Sequence, residues 1–315
     1  PYQPRISFTL NRTGGRPPFV LLINLGENHT SAGTLTETDG PSVTVSGWRQ
    51  RPAAVGIPGL YNVGIQPSAT PLAPRGHGYA SFRIIADGSL TVTGRLADDV
   101  PFTSAGFVGT NGEVLFWQAL QTSKLGVITG VLDIVEHGAL AAAEHDVAGT
   151  LHWARAAVTN SRFAPSGFAA IPCVVDGGKY LFRTGPVMGL PATALNAKVR
   201  AYDGGLPTAA ELAFTITPAN VCVPPAGNAF DLSVTVTPAT GAFTASFNLS
   251  DPDPYLPGST LKRKVAMKGL IRRNSFGDLR GCGFFILPQL PDAMANPPTT
   301  INTSPMISGT AELTP

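Results

Sequence analysis

Five histidines, three cysteines and two tight acidic pairs are the residues of this chain most suited to chemistry. His29, His77, His137, His145 and His152 stand in no spacing with another His or Cys that would ligate a metal. Glu136-His137 and His145-Asp146 are neighbours in sequence, and neighbours on a strand point to opposite faces, so neither makes an acid–base pair. There is no Gly-x-Ser-x-Gly elbow, a motif that also needs a strand-to-helix turn. Asp98-Asp99 and Asp251-Pro252-Asp253 offer oxygen ligands to a hard cation, but the Asp-x-Asp-x-Asp-Gly loop is missing. Solvated turns, with each Asp bonding its own backbone, are the simpler reading. No catalytic, cofactor-binding or metal-binding residue is nominated, and no cofactor is expected.

The three cysteines are Cys173, Cys222 and Cys282. Cys173 and Cys222 both stand beside proline-rich turns, which nominates them as a disulfide pair. The alternative is three buried thiols acting as small hydrophobes. No Cys-x-x-Cys occurs to support thiol-redox chemistry.

A basic stretch is the strongest candidate for recognition. Lys262, Arg263, Lys264, Lys268, Arg272, Arg273 and Arg280 fall within nineteen residues, opposed only by Asp278. If Val265, Met267, Gly269 and Ile271 face a core, then Lys264, Lys268 and Arg272 share the outer face. Such a stripe suits an anionic glycan, a phosphate-rich surface or an acidic patch on a neighbouring subunit. The plainer reading is an edge strand guarded by charge against unwanted pairing. Trp48, Trp117 and Trp153 sit within strand-like runs and are expected in the core rather than on a sugar-stacking platform. Gly76-His77-Gly78 and Gly281-Cys282-Gly283 precede no helix, so they read as bulges or close backbone contacts rather than phosphate loops. Four Asn-x-Ser/Thr triplets, at Asn11, Asn28, Asn248 and Asn302, are expected by chance in a chain so rich in hydroxyls.

The elements that must position these residues are strands. The chain has 315 residues, 43% hydrophobic and 13% charged, against about 25% charged in ordinary globular proteins. Its net charge of +2 gives no electrostatic footprint for nucleic acid. Ile6-Ser7-Phe8-Thr9-Leu10, Leu90–Leu96, Leu232–Val236 and Phe243–Leu249 alternate apolar and polar residues, the pattern of half-buried antiparallel strands. Asp39-Gly40, Asp87-Gly88, Asn111-Gly112 and Thr240-Gly241 separate alternating runs and supply the positive φ angles of hairpin turns. Helical periodicity is confined to Ala139–Glu144, which reads as one or two turns or as a loop between strands at Val127–Val135 and Val147–Arg155. No apolar run approaches the roughly 20 residues of a membrane helix, so no transmembrane segment is expected. Starting at Pro1, the chain reads as a processed or excised piece of a longer product.

The expected fold is all-β, with antiparallel strands in hairpins or a meander, forming two related β-modules or one large β-barrel or sandwich. Residues 80–109 and 232–271 share a phrase of strand, x-Gly turn, strand, acidic cluster and strand. This suggests a first module over 1–160, a Pro/Gly-rich connection with a strand over 161–198, and a second module over 199–315. Phe8, Leu10, Phe82, Ile84, Leu90, Val92, Leu132, Trp153, Val234, Phe247, Val265 and Phe284 are expected in the core.

Several longer phrases carry a resemblance. They are Gly76–Phe82 leading into Asp87–Asp98, Gly149-Thr150-Leu151-His152-Trp153, Ser166-Gly167-Phe168, Gly281–Phe285 and Ile307–Leu313. Together, from about Leu60 onward, the chain resembles the C-terminal β-rich region of large exported bacterial proteins of unknown function from the Verrucomicrobia–Planctomycetes group. The resemblance implies export and an extracellular or cell-surface setting, and it supplies no catalytic residues. The expected function is a non-catalytic structural or adhesive β-module whose partners are other copies of itself or upstream modules. The second expectation is a carbohydrate-binding module for an anionic polysaccharide, and the third a glycan-active enzyme.

Overall fold

The computed structural model describes residues 4–27, 29–50, 52–53, 56–69, 74–120, 126–136, 144–182, 185–274 and 276–315. His137, Asn28 and residues 139–143 of the helix-like run lie outside the described residues. The chain is all-β, and among the described residues its strands pair antiparallel in three sheets. The first has four strands in the order β1 (Arg5–Leu10), β2 (Phe19–Leu25), β3 (Thr30–Glu37) and β4 (Ser42–Trp48).

The second sheet is a meander of eight strands: β5 (Gly59–Pro67), β6 (Gly78–Ile84), β7 (Ser89–Arg95), β8 (Pro101–Phe107), β9 (Glu113–Leu120), β10 (Gly126–Glu136), β11 (His145–Arg155) and β12 (Phe168–Lys179). The last strand returns to pair with the first, Val175 opposite Ile65, and β8 meets β9 through a bridge between Val108 and Val114. The third sheet repeats the plan with β13 (Ala197–Asp203), β14 (Ala210–Ile216), β15 (Cys222–Val223), β16 (Ser233–Thr237), β17 (Ala242–Pro252), β18 (Thr260–Arg273), β19 (Leu279–Pro288) and β20 (Met306–Thr314). Here β20 closes on β13, Ala311 opposite Ala201, and the gap falls between β15 and β16. Both are nearly closed, barrel-like, up-and-down sheets.

Closure follows from the alternation. Successive side chains on a strand face opposite sides, so one face of each meander is apolar and must be covered. Eight strands make a barrel whose interior side chains fill it. Tyr61, Val63, Ile65, Phe82, Phe116 and Trp153 fill the first barrel. Trp153 meets Phe168 edge-to-face at 4.9 Å, and Phe102 meets Phe116 at 5.7 Å. Phe214, Phe243, Phe247, Met267 and Phe285 fill the second. The turns use the expected dipeptides: Gly88, Gly112 and Gly241 take positive φ, whereas in Asp39-Gly40 the aspartate does so. A Cβ at Gly112 would lie 2.2 Å from the Ile134 carbonyl oxygen, so that turn excludes a side chain on space as well as backbone grounds.

Several expectations change. β12 is the strand joining β5 to β11, so the first barrel runs to Lys179, well past residue 160. Residues 164–167 form the β11–β12 turn, and the true connection is 180–196, with a short 3₁₀ turn at Val187–Gly189. The repeated phrase covers β6–β8 in one barrel and β16–β18 in the other, which are not equivalent positions in the two meanders. It is the grammar of a hairpin, recurring wherever hairpins do. Phe8 and Leu10 are 48% and 45% exposed, because β1 belongs to neither barrel. Trp117 is 61% exposed on the outer face of β9, one residue out of phase with buried Phe116. Val234 packs against the second core without being fully buried.

The cysteine pair also changes. All three thiols are free, and Cys173 lies in the first barrel while Cys222 lies at the margin of the second. Burial pushes the Cys173 thiol up to about 12, and raises Cys222 and Cys282 as well. Thiolate is the reactive form, so these are inert, small hydrophobes. In the native protein at about pH 8 an aromatic disulfide reagent should modify half-buried Cys222 first, with Cys173 and Cys282 reacting only on unfolding. Denatured without reductant, the chain should titrate as three thiols; one thiol would restore the disulfide.

Candidate functional site

β18 is the longest strand, and it carries the basic stretch. Its alternation is as expected: Val265, Met267 and Ile271 face the barrel interior, and Lys264, Lys268 and Arg272 point out. Two other expectations fail. β18 lies between β17 and β19, so it is no edge strand, and charge does not guard it against pairing. Nor is the stripe free for a ligand along its length. Lys264 is exposed, but the outer face further along β18 and β19 packs on the outer face of β5, β6 and β12.

Lys268 Nζ meets Asp99 Oδ2 at 2.7 Å, and Asp99 also takes Arg95 at 2.6 Å. The Arg272 guanidinium pairs with Asp176 and donates from Nε to Cys282 Sγ at 3.2 Å. Arg273 pairs with Glu144. The candidate surface-binding residues Lys268 and Arg272 thus join one barrel to the other. The acidic residues that receive them, Asp99 from the β7–β8 turn and Asp176 from β12, all belong to the first barrel.

At the centre of this seam is Asn62, fully buried on the outward face of β5. Its Nδ2 donates to the carbonyls of Thr240 and Ile271, both at 2.8 Å and both in the second barrel. Its Oδ1 accepts from Ser81 Oγ at 2.7 Å. One amide therefore satisfies polar groups on both sides, which a buried interface requires. Beside it the backbone itself is in contact. Gly76 N donates to Ser308 Oγ at 3.1 Å, His77 N to the Gly283 carbonyl at 3.1 Å, and Thr310 Oγ1 to the Arg75 carbonyl at 3.0 Å. A Cβ at Gly76 would stand 2.4 Å from Phe284 Cβ, and one at Gly64 would stand 2.9 Å from Arg272 Nε. The two Gly-x-Gly phrases are close backbone contacts, as expected, and they meet each other here. Phe284 leaves its own barrel to pack with the first barrel's core residues, stacked on Tyr79 at 6.0 Å.

The remaining nominated chemistry is dispersed. Asp98 is buried against Arg155, Oδ2 to Nη1 at 2.5 Å, at one end of the first barrel. Burial raises its carboxyl above the ordinary carboxylate range, and the guanidinium opposes this. Asp251 pairs inside the second barrel with Arg263, which is also inward-facing, at 2.7 Å. Among the described residues no three His, Cys, Asp or Glu side chains converge as a metal site would require. No protein-family model, curated protein or solved structure matches this chain.

Asn62 carries no sequence signal that would single it out, and Asp99 and Asp176 read as turn and strand residues. Only the Gly-x-Gly phrases hinted at close approach. His77 lines the same seam. Burial holds its imidazole below the ordinary value of 6.5, as does Arg272, while Glu312 and Asp176 oppose this. The unfolded chain therefore takes up a proton on His77 before the folded one does. Stability is present above pH about 6.5 and falls as pH drops toward the lowered native value. His77→Gln should flatten the urea midpoint between about pH 7 and pH 5 relative to the parent. Asn62→Leu should cost about 2–4 kcal/mol, since two buried carbonyls lose their donor, and Arg272→Ser about 1–3 kcal/mol. A pairing irrelevant to stability would leave both urea midpoints unmoved.

Proposed function

We propose that this chain is a non-catalytic structural module of an extracellular or cell-surface assembly, rigid in its barrels and self-associating through its N-terminal sheet. The observation that carries the reading is the outer surface of β1–β4. Among residues 4–50, none of those described is buried, although β1, β2 and β4 carry apolar residues on one face as the barrel strands do. Contiguous exposed apolar surface on a soluble protein marks an interaction site. The interbarrel seam supports the rigid half of the reading, because its ion pairs and Asn62 bonds hold two barrels at one fixed angle. The resemblance to exported β-rich proteins supports the setting.

A second reading has its own observation. A groove of about 460 Å³ between the barrels is lined by Tyr79, Arg83, Arg95, Thr91 and Thr93, types that bind an acidic sugar. An anionic polysaccharide held there would be released by Arg83→Ser and by salt.

Light-scattering mass over a wide concentration range, with electron microscopy of the concentrated protein, tests the leading reading. Oligomers, filaments or sheets that grow with concentration are the expected result. A strictly monomeric chain at every concentration would overturn it, and polysaccharide binding lost in Arg83→Ser would put the second reading in its place.

A further inference from the structure

We infer that two copies of this chain complete one more barrel, in which the four-stranded sheet of each supplies half of an eight-stranded, up-and-down wall. This rests on the self-association proposed above and names the partner and the geometry.

The registers define the apolar face. Phe8 lies opposite Leu21, Leu21 opposite Leu35, and Leu35 opposite Val43, so the row crosses all four strands on one side. Ile6 and Ile23 continue it. The other side carries Ser7, Thr9, Thr34, Thr36, Thr44 and Ser46, with Val20 and Leu22 of β2 among them. This is the alternation that the eight-stranded sheets hide by closing, on strands of 6–8 residues against 7–9 for β5–β9. Here the strand count is half.

Area and edges favour a second copy that closes the wall over one that only stacks on it. Four strands about 4.8 Å apart and about seven residues long at about 3.3 Å each make a face of roughly 450 Å². A stable specific interface needs about 800 Å² from each partner. Face-to-face contact alone falls short, and pairing along both edges supplies more. Those edges are guarded only at their ends: Arg5 opens β1 after Pro4, and Pro41 and Arg49 flank β4, while Ile6–Leu10 and Ser42–Trp48 between them hold no charged residue and no proline.

Direction also fits. In an antiparallel meander of four strands β1 and β4 run oppositely. A twofold axis along the barrel axis sets β1 of one copy beside β4 of the other, antiparallel, at both joints. The ring then reads β1-β2-β3-β4-β1-β2-β3-β4 with every pair antiparallel, the number and arrangement of this chain's own barrels. An odd number of strands would close only with a parallel pair.

The test is sedimentation equilibrium of the full chain, with hydrogen exchange read strand by strand. The parent should be a dimer at high concentration, with amides of β1 and β4 gaining protection as the dimer forms. Phe8→Lys and Val43→Lys, both at exposed positions, should each weaken it by about tenfold or more. Thr9→Lys and Thr44→Lys, on the polar side of the same strands, should leave it intact. Association that Phe8→Lys and Val43→Lys abolish, but that leaves β1 and β4 amides unprotected, overturns the closed barrel while the self-associating sheet stands; association that survives both changes overturns the sheet as the associating surface as well. A monomer at all concentrations overturns both. A β1–β4 face that becomes protected only when further chain is joined to residue 1 overturns the second copy as its occupant.

Discussion

A sheet with apolar side chains on one face cannot leave that face in water, and every larger feature of this molecule answers to that constraint. Up-and-down closure is the simplest answer for an antiparallel meander, because consecutive strands need only tight turns. At eight strands the interior is just wide enough for side chains, so Trp153, Phe82, Phe247 and Phe285 form cores rather than line channels. The strand's alternation overrides a residue's own polarity: in β9 Phe116 is buried while Leu115 and Trp117, on the outward face, stand in solvent.

Closing a barrel turns its polar face outward, and two barrels packed side by side must therefore join through polar surface. This accounts for the composition of the seam. An apolar contact occurs where Phe284 reaches Tyr79, but the contact is pinned by hydrogen bonds and ion pairs. Polar surfaces buried this way must be satisfied atom by atom, which is more restrictive than burying leucines. The glycines at 64 and 76 belong to the same demand. Backbone can donate across the seam only where no Cβ holds the barrels apart.

The strands and turns were legible in the sequence because their signals are local. Alternation in Phe243–Leu249 and the Asn111-Gly112 turn depend on residues within one hairpin. Strand count and closure are not local. Nothing in Ile6–Leu10 distinguishes it from Leu90–Leu96, yet one lies on an open sheet and the other in a closed one. The basic stretch shows the same limit at the site. Its alternation told which side Lys268 and Arg272 would take, and that was right. What occupies that side depended on Asp99 and Asp176, which lie 169 and 96 residues away in sequence and come together with it only through the fold.

Buried ion pairs contribute less to stability than they look, because desolvation opposes the attraction. Each barrel holds an inward arginine against an aspartate, Arg155 with Asp98 and Arg263 with Asp251. The Asp98 carboxyl is raised even with a guanidinium at 2.5 Å, so the cost of removing it from water outweighs the attraction it gains. A pair with that balance adds little net stability. Its effect is positional: Arg155 also donates to the Phe163 carbonyl, so the Asp98 turn and the β11–β12 loop are tied at one end of the barrel. Next to Asp98 in the same turn is Asp99, the partner of Lys268. The turn is thus held from inside by one arginine and reaches across the seam to a lysine, so the first barrel's closure sets where the second one docks.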